Sequence, residues 1–139
     1  KIVDLCGGSV NGRRIAVLGV TFNPNTDDMR EAPSLTVVPA LVGQGARVSV
    51  VDPQGRHEGE ALLPGVTWEE DPYAAADGAD VLVLLTEWNE FRALDLTRIA
   101  DSMATPAMAD LRNIYTPESA REAGFTAYAS VGRTSYGSG

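Results

Sequence analysis

Val81 to Leu85, VLVLL, is the stretch that decides the fold. Five apolar residues in a row, valines alternating with leucines, are too short for an ordinary helix. They read as a strand buried on both faces. Strands that are apolar at every position belong to parallel sheets, and parallel neighbours need crossover connections, usually helices. The stretch is bounded by Asp80 on one side and Thr86-Glu87-Trp88 on the other.

Working outward, the same alternation recurs. Upstream, Asp71 and Pro72 mark the N-cap and first turn of an alanine-rich helix in DPYAAADGA, and VTWEE supplies a short edge strand. GRHEGEALLPG predicts a short helix, and Arg47 to Val51, RVSVV, a second buried strand stopped by Asp52-Pro53. Pro33 and Ser34 open a helix whose Leu35, Val38, Leu41 and Val42 share one face, ended by Gly43 and Gly45. Ile15 to Val20 is another short β-branched strand. Downstream, TEWNEF turns into a helix and LDLTRIADSM gives a further helical period. AMADLRN is a strand with polar residues at its end. TPESAREAG has Thr116 as N-cap, Pro117 at the first turn and Gly124 as stop, and FTAYASV is a last strand. The order predicts an α/β fold: a Rossmann-like, doubly wound, mostly parallel sheet with helices on both faces. Residues 1–12 read as the end of an interdomain helix and a flexible joint, 13–133 as the domain, and 134–139 as a disordered tail.

Composition narrows the function classes. The chain has 139 residues and a formal net charge of -8, whereas nucleic-acid binders carry a basic footprint. No apolar run approaches the roughly 20 residues of a membrane span, so no membrane partner is expected. Cys6 is the only cysteine and His57 the only histidine. A disulfide within the chain is impossible, a reducing and cytoplasmic setting is expected, and a metal site is not.

In doubly wound sheets ligands lie in the crevice beyond the carboxyl ends of the strands. The residues to question are therefore the Phe22–Arg30 loop, Asp52, Thr86-Glu87-Trp88 and Asp110-Leu111-Arg112-Asn113. A self-contained dinucleotide site needs G-x-G-x-x-G after the first strand, and only Gly19 is present; Asp52 at the second strand end also fits a plain Asp-Pro turn. A phosphoacceptor module would use Asp27-Asp28, Asp52 and Thr86, but the acid pair stands well past the strand and ADLRN lacks the lysine that would neutralise an acyl phosphate. Thr26, Asp27 and Asp28 also suit a helix N-terminus, with Arg30 as their ion-pair partner. Trp88 reads as an aromatic covering the sheet end. Arg112 either pairs with Asp110 or Glu87 or turns its five donors to a ligand.

IAVLGVTFNPNTDDMREAPSLTVVPAL, VVDPQG, ADVLVLLTEWNEFRALDL and ADLRNIY together resemble the C-terminal UDP-binding domain of the UDP-glucose/GDP-mannose dehydrogenase family, from about Cys6 through Arg133. The resemblance implies one part of a three-part enzyme, beside an N-terminal NAD-binding domain and a central domain with the catalytic cysteine, dimeric through that central domain. It implies oxidation of a UDP-sugar such as UDP-glucose to the uronate with two NAD, through a covalent thiohemiacetal and thioester. The glycine fingerprint and the GGxCxPKD segment are absent here, and Cys6 matches no family cysteine. No catalytic residue is therefore assigned to this chain. The resemblance places Phe22 and Asn23 at the sugar nucleotide, Arg112 on the UDP-sugar, and Arg30 toward NAD in the neighbouring domain. Asn23 stands where the family usually has lysine, which removes a cation from that position. The alternative is a stand-alone nucleotide-sugar-binding or regulatory module without catalysis.

Overall fold

The structure is a computed structural model that describes residues 9–19, 34–52, 63, 65–86 and 93–130. Among these lie six strands and four helices. The strands are β1 (Arg14–Leu18), β2 (Arg47–Val51), β3 (Thr67–Trp68), β4 (Val81–Leu84), β5 (Ala107–Asp110) and β6 (Ala127–Ser130). The helices are α1 (Ser34–Gly43), α2 (Pro72–Ala76), α3 (Leu96–Ser102) and α4 (Pro117–Ala123).

The strands form one sheet in the order β3-β2-β1-β4-β5-β6. Every pairing is parallel, so the expected mostly parallel sheet is wholly so. The chain steps outward from β1 through β2 to β3, then returns to lay β4 against the other side of β1. That reversal creates a topological switch point between β1 and β4.

Side-chain alternation along the strands explains the two layers. Ile15, Val17, Val48, Val50, Val81 and Val83 join Val38 and Leu41 of α1 in one core. Ala16, Leu18, Val51, Leu82, Leu84 and Met108 join residues of α2, α3 and α4 in the other. All four residues of β4 are 0% exposed. Burying a Val or Leu side chain contributes about 1.5–3 kcal/mol, so a strand apolar at every position is stable only where helices cover both faces.

Local signals set the helix ends. The Asp71 carboxylate accepts from Tyr73 N at 2.9 Å, with Pro72 in the first turn. Asp95 caps α3 by accepting from Arg98 N at 3.2 Å, and Thr116 Oγ1 caps α4 by accepting from Ser119 N at 3.1 Å. Gly124 ends α4 in the left-handed region. In α1, Val38 and Leu41 are buried and Val42 packs beside them, as their spacing predicts. Pro39 lies inside that helix on its exposed side, where the ladder bond it cannot make is open to water.

Several strands stop earlier than expected: β4 ends at Leu84 and β3 keeps only Thr67–Trp68 of VTWEE. β1 ends at Leu18 because Gly19 turns to φ 89°, and β5 ends at Asp110 because the chain folds into a turn there. The helices expected in GRHEGEALLPG and TEWNEF and the tail from 134 lie outside the described residues, apart from Leu63 and Gly65 in the first and Thr86 in the second. No helix among the described residues is long and apolar enough to cross a membrane.

Candidate functional site

Parallel register brings the polar strand ends to one rim. Leu18 is level with Val51 and Leu84, and Leu84 with Asp110. Gly19, Asp52, Thr86 and Arg112 each follow one of those strands within two residues, so all four share the carboxyl edge. Backbone bonds continue past the strands and stitch this edge together. Gly19 N donates to Val51 O at 2.7 Å, Leu85 N to Leu18 O at 3.0 Å, and Leu111 N to Leu84 O at 3.1 Å.

The switch point itself is closed by contact. A side chain at Gly19 would place its Cβ 2.5 Å from Thr86 Cβ and 2.8 Å from Thr86 Oγ1. Thr86 is 2% exposed, and Gly19 adopts φ 89°, a conformation open mainly to glycine. Here the strand-end glycine lets β1 and β4 close on each other. It does not open a cradle for a pyrophosphate. Asp52, which stands where a ribose-binding acid would, is 7% exposed at the end of β2. Among the described residues, this rim does not offer a cradle for a dinucleotide held by the chain alone.

Beyond β5 the rim is organised by Asp110, a carboxylate 0% exposed. Oδ1 accepts from Ile114 N at 2.9 Å, and Oδ2 from Tyr115 N at 2.7 Å. The Tyr128 hydroxyl of β6 lies 3.2 Å from Oδ2 and 3.0 Å from Tyr115 O, so its single proton serves one of them at a time. Asn113 N reaches Asp110 O at 3.4 Å, and Asn113 takes φ 55°, which a short polar side chain tolerates. A buried carboxylate costs several kcal/mol unless donors surround it; backbone amides and a phenol do so here. Asp110 thereby folds residues 111–115 into a fixed loop with half-buried Arg112 on it.

Of the residues singled out in the sequence, Arg112 and Asp110 meet on one loop, and Thr86 and Asp52 lie on the same rim. Phe22, Asn23, Arg30 and Trp88 lie outside the described residues. The sequence offered Asp110 or Glu87 as an ion-pair partner for Arg112, or a ligand contact; the structure gives Asp110 a further task, its oxygens holding the loop's amides. The sequence reading missed Tyr128. The signal was available: a tyrosine at an inward position of a strand buried throughout needs a partner for its hydroxyl.

Residues 16–117 match the UDP-glucose/GDP-mannose dehydrogenase family, UDP binding domain. The chain belongs to this family. It is 51% identical over 133 residues to a UDP-glucose 6-dehydrogenase of Rhizobium meliloti, covering 96% of this chain and 30% of that protein. It is 43% identical to the UDP-glucose 6-dehydrogenase of Pseudomonas aeruginosa, covering 94% and 30%. The structure superposes on a UDP-glucose dehydrogenase of Pyrobaculum islandicum with a TM-score of 0.73 at 32% identity, covering 92% of this chain and 27% of that one. The chain thus spans about a third of the length of the relatives it matches.

Proposed function

We propose that this UDP binding domain works as part of a cytoplasmic UDP-glucose 6-dehydrogenase, supplying the side of the active site that grips the sugar nucleotide. The observation that carries the reading is the family match over residues 16–117, joined to an arginine set on a carboxylate-braced loop at the carboxyl rim. In this reading Arg112 contacts the UDP-sugar, its guanidinium donors matching phosphate or hydroxyl oxygens. Bracing matters because a preformed loop loses less entropy on binding than a loose one.

Phe22 and Asn23 complete the sugar-nucleotide contact, and Arg30 reaches NAD held mainly by a neighbouring domain. The closed contact between Gly19 and Thr86 supports that division, since it leaves the pyrophosphate to another glycine loop. Hydride acceptance and the thiolate also belong to the neighbouring domains; this chain binds and orients. The whole enzyme is a homodimer in this reading, assembled through the central domain.

The test is the intact gene product with UDP-glucose and NAD. Reduction of two NAD per UDP-glucose is expected, with Arg112→Ala raising KM for UDP-glucose at least tenfold while leaving KM for NAD within twofold. Binding of UDP-glucose without any NAD reduction would replace this reading with a nucleotide-sugar-binding module that does no chemistry. Asparagine at position 23 predicts a further effect. Hydrogen bonds to charged groups contribute about 1.5–3 kcal/mol, so Asn23→Lys in the intact enzyme should tighten UDP-glucose by about tenfold or more. Calorimetric titration checks this, and an unchanged Kd rejects it.

A further inference from the structure

The opposite rim of the sheet carries an arrangement that the sugar-nucleotide reading does not use. Arg14 and Arg47 begin β1 and β2 and stand directly in register. Both precede residues of the α1-side core, Ile15 and Val48, so alternation turns them to the face that carries α2. There they line a cleft of about 390 Å³ with Ser49, Thr67, Glu69 and Asp77.

The cleft exists because its roof is short. α2 has five residues, three of them alanine, and Ser49 and Thr67 stand where a fully covered sheet would have apolar side chains. Gly78 adds room: a Cβ there would sit 3.0 Å from Arg14 Nη1, so the guanidinium lies where another residue's side chain would intrude. Below the cleft, Arg14 N donates to Asp80 Oδ2 at 2.9 Å and Asp80 N to Arg14 O at 2.7 Å, which fixes the start of β1 against β4.

Like charges directly opposite on neighbouring strands are destabilising. Glu69 and Asp77 line the same cleft, yet among the described residues neither forms an ion pair with Arg14 or Arg47. In a chain of net charge -8, this hollow collects two guanidiniums from neighbouring strands opposite the carboxylates of Glu69 and Asp77. Two forks of N–H donors suit one tetrahedral oxyanion, which would also relieve their repulsion.

We infer that this cleft binds the phosphate group of a small phosphorylated molecule, with Arg14 and Arg47 on the phosphate. Ser49, Thr67, Glu69 and Asp77 are then the partners for hydroxyl groups on the rest of the ligand. The site lies at the amino ends of the strands, away from the rim of Arg112, and is independent of the function proposed above.

The test is amide NMR of the full chain titrated with inorganic phosphate and with glycerol 3-phosphate, against chloride at matched ionic strength. Both probes should shift Arg14, Arg47, Ser49, Thr67 and Gly78, and the Arg14→Gln/Arg47→Gln double variant should bind at least tenfold more weakly. Thr67→Glu, at an exposed edge position, should abolish the response while keeping both arginines, and it serves if the double variant does not fold. Shifts confined to Gly19, Thr86 and Arg112, a response unchanged in these variants, or none beyond chloride would each overturn the site.

Discussion

Asp110 shows how a single side chain converts a strand end into a loop. Its carboxylate is surrounded by two amides and a phenol, and removing any of these leaves an ion short of donors in a dry site. Tyr128→Phe should therefore cost about 1–3 kcal/mol, read as a lower urea midpoint at unchanged slope. Asp110→Asn should cost more than Tyr128→Phe, because the amide group turns an N–H₂ toward existing donors. The reverse order would show that the phenol, not the carboxylate, anchors the loop. Gly19 makes the opposite argument, from absence of a side chain. Gly19→Ala meets both left-handed strain and the side chain of Thr86 at 2.5 Å, for a combined cost of about 2 kcal/mol or more. A thermal melt within 1 °C of the parent would show that the rim yields more easily than its contacts imply.

Elements follow from short local rules, and these were the most legible part of the sequence. Asp71, Thr116 and Gly124 cap or stop their helices where the residue types predict, because capping needs only a neighbouring N–H or a positive φ. Thr116→Ala should cost about 1 kcal/mol, measured by chemical denaturation; no change would mean that water satisfies the Ser119 amide equally well. Asp95 was read only as part of a helical period, yet it caps α3 and donates its own N–H to Tyr73 Oη at 3.0 Å. Arg98 lies 4.0 Å from the centre of that tyrosine ring, an arrangement generally contributing about 0.5–1 kcal/mol at exposed sites. This tie between α2 and α3 spans two crossovers, and no local window contains it.

At the scale of the whole molecule, the strand order gathers polar residues at two rims of different character. The carboxyl rim is backbone-stitched and closed at the switch point; the amino rim is open between α2 and the sheet. Among the described residues, neither is a complete dinucleotide site. Calorimetry of this chain with UDP and with NAD should therefore give weak or undetectable heats, with Kd above about 1 mM, where binding free energy falls below about 4 kcal/mol in magnitude. Micromolar NAD binding would contradict the division of labour proposed here.

Class, strand identity and most helix ends, the Asp95 cap excepted, were legible in the amino-acid sequence alone, because they rest on periodicity and on contacts within a few residues. VLVLL announced a strand covered on both sides, and the alternation around it left little but a parallel sheet. Register and burial were decided only in three dimensions. That Asp110 faces amides and Tyr128, that Gly19 makes way for Thr86, and that Arg14 stands beside Arg47 all depend on which strands become neighbours. Those pairings join residues up to 67 positions apart, and burial sums over the whole fold, so no segment read by itself contains them.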